Sequence, residues 1–139
     1  MRIITDFIEI ATRGHTDIVD VTPQVRDVLV KSGLQEGQLT VFISGSTASV
    51  TTIEYEPGLL KDLPDALDKI APVGARYHHD DTWGDGNGYA HVRAALVRAS
   101  FTVPFTSGKM LLGTWQQIVI LDFDNRSRNR RIVVQMMGE

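Results

Sequence analysis

FTVPFTSGKMLLGTWQQIVILDFDNRSRNRRIVVQMMG, Phe101 to Gly138, is the stretch on which the fold turns. Three apolar runs lie in it, Phe101 to Phe105, Trp115 to Phe123 and Arg131 to Met136, broken by Gly108, Gly113 and the charged region around Asn125. β-Branched and aromatic residues suit a pleated, half-buried surface, and the breaks carry turn chemistry, so the stretch predicts an antiparallel meander. Trp115, where an apolar run meets a strand, is assigned to the core. Arg126, Arg128, Arg130 and Arg131 follow Asp122, Asp124 and Asn125 and read as solvated charges at a hairpin tip, with an anion contact as the sharper alternative.

Outward from there, Arg2 to Ile10 alternates and Thr16 to Val21 repeats the pattern after Arg13-Gly14-His15, which predicts two strands joined by a turn. Leu39 to Ser44 and Thr47 to Glu56 add two more. Thr22 followed by Pro23 resembles an N-cap and first helical residue, with Val25, Val28 and Leu29 on one face and a stop at Gly33. Leu59, Leu60, Leu63, Leu67 and Ile70 keep helical spacing between Gly58 and Ala71, but Pro64 removes an internal hydrogen bond, so a kink or two abutting helices are expected. A last helix is predicted from Asn87 onward, with Val92, Leu96 and Ala99 on its apolar face. Strands at both ends with helices between them give an α+β fold, a mostly antiparallel sheet with helices packed on one face, in a single domain over residues 1–139.

Composition bounds the chemistry. The chain has 139 residues, no cysteine and a formal net charge of -3. Disulfides, zinc ribbons and thiolate nucleophiles are thereby excluded. Scattered charge predicts no nucleic-acid partner. No apolar stretch reaches the roughly 20 residues of a spanning helix, and the N-terminus lacks the pattern of a signal peptide, so a cytoplasmic protein with no membrane partner is expected.

Polar side chains concentrate from Tyr77 to Arg93, which holds three of the four histidines. Two chemistries account for that concentration. In one, His79 and His91 supply imidazoles to a metal while Asp80, Asp85 or Glu54 adds carboxylate oxygen. In the other, an imidazole moves a proton while Gly86-Asn87-Gly88 offers backbone N–H groups to a phosphate at a helix N-terminus, with Arg93 beside it. Asp85 or Asn87 can instead simply cap the helix, and the whole segment can be a solvated polar turn. His78 and His15 are read as surface residues. Gly45-Ser-Thr-Ala-Ser49 lacks the Gly-x-Ser-x-Gly elbow of a hydrolase and reads as a turn whose hydroxyls can bind.

Taken together, Gly45-Ser-Thr-Ala-Ser49, Glu56-Pro-Gly-Leu-Leu60 with Asp62-Leu63, Tyr77-x-His79-Asp80, Asp85-Gly-Asn-Gly88, His91-Val-Arg-Ala94, Val103-Pro104 and Leu112-Gly-Thr-Trp-Gln116 resemble the YjbQ family in order and spacing. The resemblance implies an α+β homotrimer acting on a small phosphorylated metabolite. It also implies an activity, joining hydroxymethylpyrimidine diphosphate to thiazole phosphate with loss of pyrophosphate. Carried over onto this chain, His79, Asp85 and His91 take the catalytic or metal-ligating positions, a divalent ion being Mg or Zn. Ser46, Thr47, Asn87, Thr114 and Gln116 take substrate-binding positions, to which the phosphate reading above adds Gly88 and Arg93. Tyr89 stands where many relatives carry a second histidine. Two rival functions remain: a non-catalytic carrier or sensor of a phosphorylated metabolite, and a metal-dependent hydrolase.

Overall fold

A computed structural model describes all of residues 1–139. Its strands form two antiparallel sheets. The larger contains β1 (Arg2–Thr12), β8 (Arg128–Gly138), β3 (Gly37–Ile43), β5 (Ser100–Thr106) and β6 (Lys109–Met110), in that order. The smaller has β7 (Gln117–Asp122) between β2 (Asp17–Asp20) and β4 (Ala48–Ile53). The α+β class and the antiparallel pairing agree with the sequence reading, whereas the connectivity does not. β7 and β8 do not pair with one another, so the charged segment between them is a crossover from one sheet to the other. β1 and β2 likewise part into different sheets, and β8 runs between β1 and β3.

Burial explains the split. The inward row of the larger sheet, Ile8, Leu39, Val41, Ile43, Val103, Phe105, Ile132, Val134 and Met136, meets Val50, Ile118 and Ile120 from the smaller sheet. The helix α1 (Thr22–Ser32) joins this core through Val25, Val28 and Leu29. The opposite face of the smaller sheet, Ile18, Val119, Leu121 and Phe123, is covered by Leu67 of α2 (Leu59–Ile70) and by Tyr89, Ala90 and Ala94 of α4 (Gly88–Val97). β7 is thus buried on both faces, which is why Ile118 to Leu121 is continuously apolar rather than alternating.

Several local expectations are corrected. Thr22 is the first helical residue and not the cap; its hydroxyl accepts from the Ile118 N–H at 2.8 Å, tying α1 to β7. Pro64 sits inside one helix, so of the two alternatives the pair of abutting helices falls away. The stripe predicted to bury α4 points outward, with Leu96 55% exposed, because the residues facing the sheet are Tyr89, Ala90 and Ala94. Trp115 is 72% exposed and is no core residue. A short helix not foreseen, α3 (His78–Trp83), occupies the polar stretch before α4 and ends on Gly84, whose φ of +68° is the left-handed conformation glycine adopts without strain.

Candidate active site

The α3–α4 elbow gathers the polar segment. Asp80 accepts a hydrogen bond from the Gly88 N–H at 3.0 Å, so a carboxylate of the chain itself occupies the N-terminus of α4. That N–H is therefore committed, rather than free for a phosphate. A Cβ on Gly88 would lie 2.5 Å from that of Tyr77, so the close approach of α3 to α4 requires glycine there. Asn87 occupies the cap position of α4 without a side-chain cap bond, because its amide is used elsewhere.

Folding the elbow brings His79, Asp85, Asn87 and His91 together. The two imidazole centroids are 4.1 Å apart with their planes inclined at 43°. Nε2 of His79 lies 3.6 Å from Oδ1 of Asp85. Burial, and then the neighbouring His79, push His91 below its usual 6.5, leaving it neutral at pH 7. The buried amide of Asn87 has one end against Asp85 and His79 and the other against Asp124. With its nitrogen toward Asp85 it donates at 2.9 Å, with His79 Nε2 3.2 Å away. Turned the other way, it reaches Asp124 only at 3.4 Å and sets its oxygen against the Asp85 carboxylate, so the first orientation is the favourable one.

An ionic frame lies beneath. Asp124, 1% exposed, accepts from Arg128 at 2.6 and 2.9 Å and from the Thr47 hydroxyl at 3.1 Å. Burial alone would raise its pKa, but the bonds from Arg128 and the Asn125 N–H prevail and hold the carboxyl at about 2. Asp122 receives Arg130 at 2.7 and 2.9 Å and the hydroxyl of Thr12, and is also held low. Arg130 reaches Thr47 at 2.8 Å as well. Arg128 and Arg130 are thus structural ion-pair partners and not solvated hairpin charges. Sequence reasoning missed this frame, although Asp122 and Asp124, then Arg128 and Arg130, at spacing two on either side of a turn, were a visible signal of facing rows.

Beside His91 opens a cleft of about 360 Å³ lined by Gly45, Ser46, Ala48, Ala94, Ala95, Arg98 and Ala99. Ser46 shares it with His91, while Thr47 lies underneath in the ionic frame. Arg98 contributes a cation that sequence reasoning did not select. The other expected binding residues lie elsewhere. Arg93 is buried, donating to Ala71 O at 2.9 Å, Thr16 Oγ1 at 2.9 Å and Asp68 at 2.6 Å, with its guanidinium 5.2 Å from the Tyr89 ring centre. It fastens α4 to α2 and does not line the cleft. Thr114 and Gln116 line a separate cavity; the Gln116 amide is engaged by the Gly113 N–H at 3.0 Å and Thr52 Oγ1 at 3.2 Å. His78 is exposed, with its Nδ1 3.8 Å from Asp81.

The donors do not suit a resident metal ion. No group of three or more His, Asp or Glu side chains is arranged to hold one, the two imidazoles pack against each other at a tilt, and the Asn87 amide nitrogen enters the space where ligands would converge. What the arrangement offers is proton transfer, through a neutral imidazole against an imidazole–carboxylate pair, next to a cleft bearing a guanidinium.

A family model described as "UPF0047 protein YjbQ-like" matches residues 6–139. The chain is 38% identical over 139 residues to a UPF0047 protein of Methanothermobacter thermautotrophicus, covering 100% of this chain and 95% of the relative. It is 31% identical over 132 residues to the UPF0047 protein YugU of Bacillus subtilis, covering 94% and 97%. Among solved structures, it is similar to a YbjQ-like protein of unknown function from Sulfolobus solfataricus, with a TM-score of 0.94, 30% identity and 99% of both chains covered. A hypothetical protein from Aeropyrum pernix aligns with a TM-score of 0.91 at 29% identity over 98% of this chain and 99% of that one.

Proposed function

The chain belongs to the UPF0047 YjbQ-like family, and on that premise we propose that it is a transferase for small phosphorylated metabolites, with thiamine-phosphate synthase as its reaction. The observation that carries this reading is the His79–His91 pair, backed by Asp85 and opening on a cleft that contains Ser46 and Arg98.

In the proposed reaction a ring nitrogen of thiazole phosphate bonds to the methylene carbon of the pyrimidine while the carbon–oxygen bond to diphosphate breaks. The bonding nitrogen carries no hydrogen, so bond formation needs no base. The demand is on the departing pyrophosphate, where negative charge accumulates. Arg98 supports that charge, and His91, the imidazole on the cleft wall, passes a proton to the pyrophosphate oxygen while taking one from His79, which Asp85 and Asn87 steady and which water then reprotonates.

The homotrimer implied by the resemblance is part of the proposal. The outward face of the five-stranded sheet supports it, since Ile3, Phe7, Phe42 and Met137 are exposed there. The test is pyrophosphate release with both substrates in the unaltered chain and in His79→Ala, Asp85→Ala and His91→Ala. The histidine variants should lose about 10²- to 10⁴-fold, the range of a positioned acid or base. Equal rates in all four proteins would refute the assignment. Substrate-dependent thermal stabilisation without any turnover would replace it with a binding role.

A further inference from the structure

The largest cavity of the chain, about 650 Å³, does not lie over the histidines. One wall is a stripe of α1, Thr22, Arg26 and Val30, at helical spacing. The turn between β5 and β6 supplies Ser107, β6 supplies Lys109, and the loop before β7 supplies Leu112 and Thr114. It shares no lining residue with the cleft beside His91. The two sit at opposite ends of the smaller sheet: β7 enters at Gln117, on this cavity, and leaves at Asp122, in the ionic frame, roughly 17 Å away at a strand's rise of about 3.4 Å per residue.

Its side chains sort into two groups. Gln116 and Gln117 are spent on the loop: Gln117 receives the Tyr55 N–H at 3.0 Å and donates to Thr114 O at 3.3 Å. Thr22 is spent on Ile118. The free groups are the cations Arg26 and Lys109 and the hydroxyls of Ser107 and Thr114. Neither cation takes part in an ion pair, unlike Arg13, Lys31, Arg76, Arg93, Arg128, Arg130 and Arg131, and the cavity wall contains no carboxylate. Val30, Leu34, Met110 and Leu112 provide an apolar floor. Ser107 has a φ of +50°, rare for a residue with a side chain, and is held by its N–H donating to Glu36 at 2.9 Å.

We infer that this cavity is a second ligand site, independent of the histidine cleft, for an organic phosphate with an apolar body. A phosphate presents several acceptor oxygens, for which the lining offers two cations and two hydroxyls, while the volume and floor accept a ring-sized group. Trp115 stands at its lip, exposed between two lining residues, and provides an optical readout.

Phenyl phosphate is the probe, titrated into the Trp83→Phe chain so that Trp115 is the remaining indole. A saturable change in emission is expected, weaker for inorganic phosphate and absent for phenol. Arg26→Ala and Lys109→Ala should each raise the apparent Kd about tenfold or more, whereas His79→Ala should leave it unchanged. No saturable response at millimolar probe, a response equal for phenol, or a response lost with His79 but kept without Arg26 and Lys109 would each overturn the inference. The readout is binding, so its failure is separable from failure of the proposed transferase activity.

Discussion

Replacing Asp124 by Asn removes one charge from the frame beneath the histidines while keeping the side chain's volume. The Asp124 carboxyl, ordinarily near 3.8, is held at about 2 in the folded chain. At about 1.4 kcal/mol for each pH unit, that difference corresponds to about 2.5 kcal/mol, a large share of the roughly 5–15 kcal/mol that stabilises a typical domain. Because the folded value is the lower one, the unfolded chain binds the proton more readily. The contribution is therefore nearly complete above about pH 5 and is lost as pH falls through about 2. Asp122 is held low in the same way and stays in both proteins, so its effect cancels in the comparison. Urea unfolding followed by far-ultraviolet circular dichroism at several pH values measures the gap between the unaltered chain and Asp124→Asn. The gap should shrink by about 2 kcal/mol between pH 5 and pH 2, the rest being lost below pH 2. A gap that stays constant over that interval would refute the ionic frame as described.

Two further outcomes follow from the same geometry. The imidazole of His91, followed by proton NMR, should titrate below 6.5, and in His79→Ala its midpoint should rise, because a neighbouring imidazole and part of the burial are removed together; a midpoint at or above 6.5 in the unaltered chain would contradict the packing. Arg93→Met should lower stability by roughly 2–4 kcal/mol, because Ala71 O and Thr16 lose a buried partner, while turnover per folded molecule is unchanged; the reverse pattern, stable but inactive, would return Arg93 to the binding site.

The elements were more legible in the sequence than their connections. Gly33 ended α1 and Asn87 preceded α4 as their backbone chemistry requires, and alternation along β1 matched a strand paired along its length. The β7–β8 segment misled because Asp-Asn-Arg between apolar runs is what a hairpin turn looks like locally. The contrary signal was the unbroken apolar run from Ile118 to Leu121, which demands cover on both faces and so a strand between two layers. At the site, sequence proximity supplied His79, Asp85, Asn87 and His91. It gave no access to Asp124 or Arg128, brought in from the opposite end of the chain. It misplaced Arg93, because a helix turns adjacent positions to different sides: His91 faces the cleft while Arg93 faces α2.

β8, which follows every other element in the chain, lies between β1 and β3. During synthesis β1 has no partner in its sheet until β8 arrives, and β3, already paired with β5, keeps one edge open, which favours late closure over stepwise assembly. The same strand carries Arg128 and Arg130, so the charges of Asp122 and Asp124 are neutralised in the very event that joins the sheet. A nascent chain halted before Arg128 would thus hold two buried-type carboxylates without counter-ions, a state that quality-control proteases would find open.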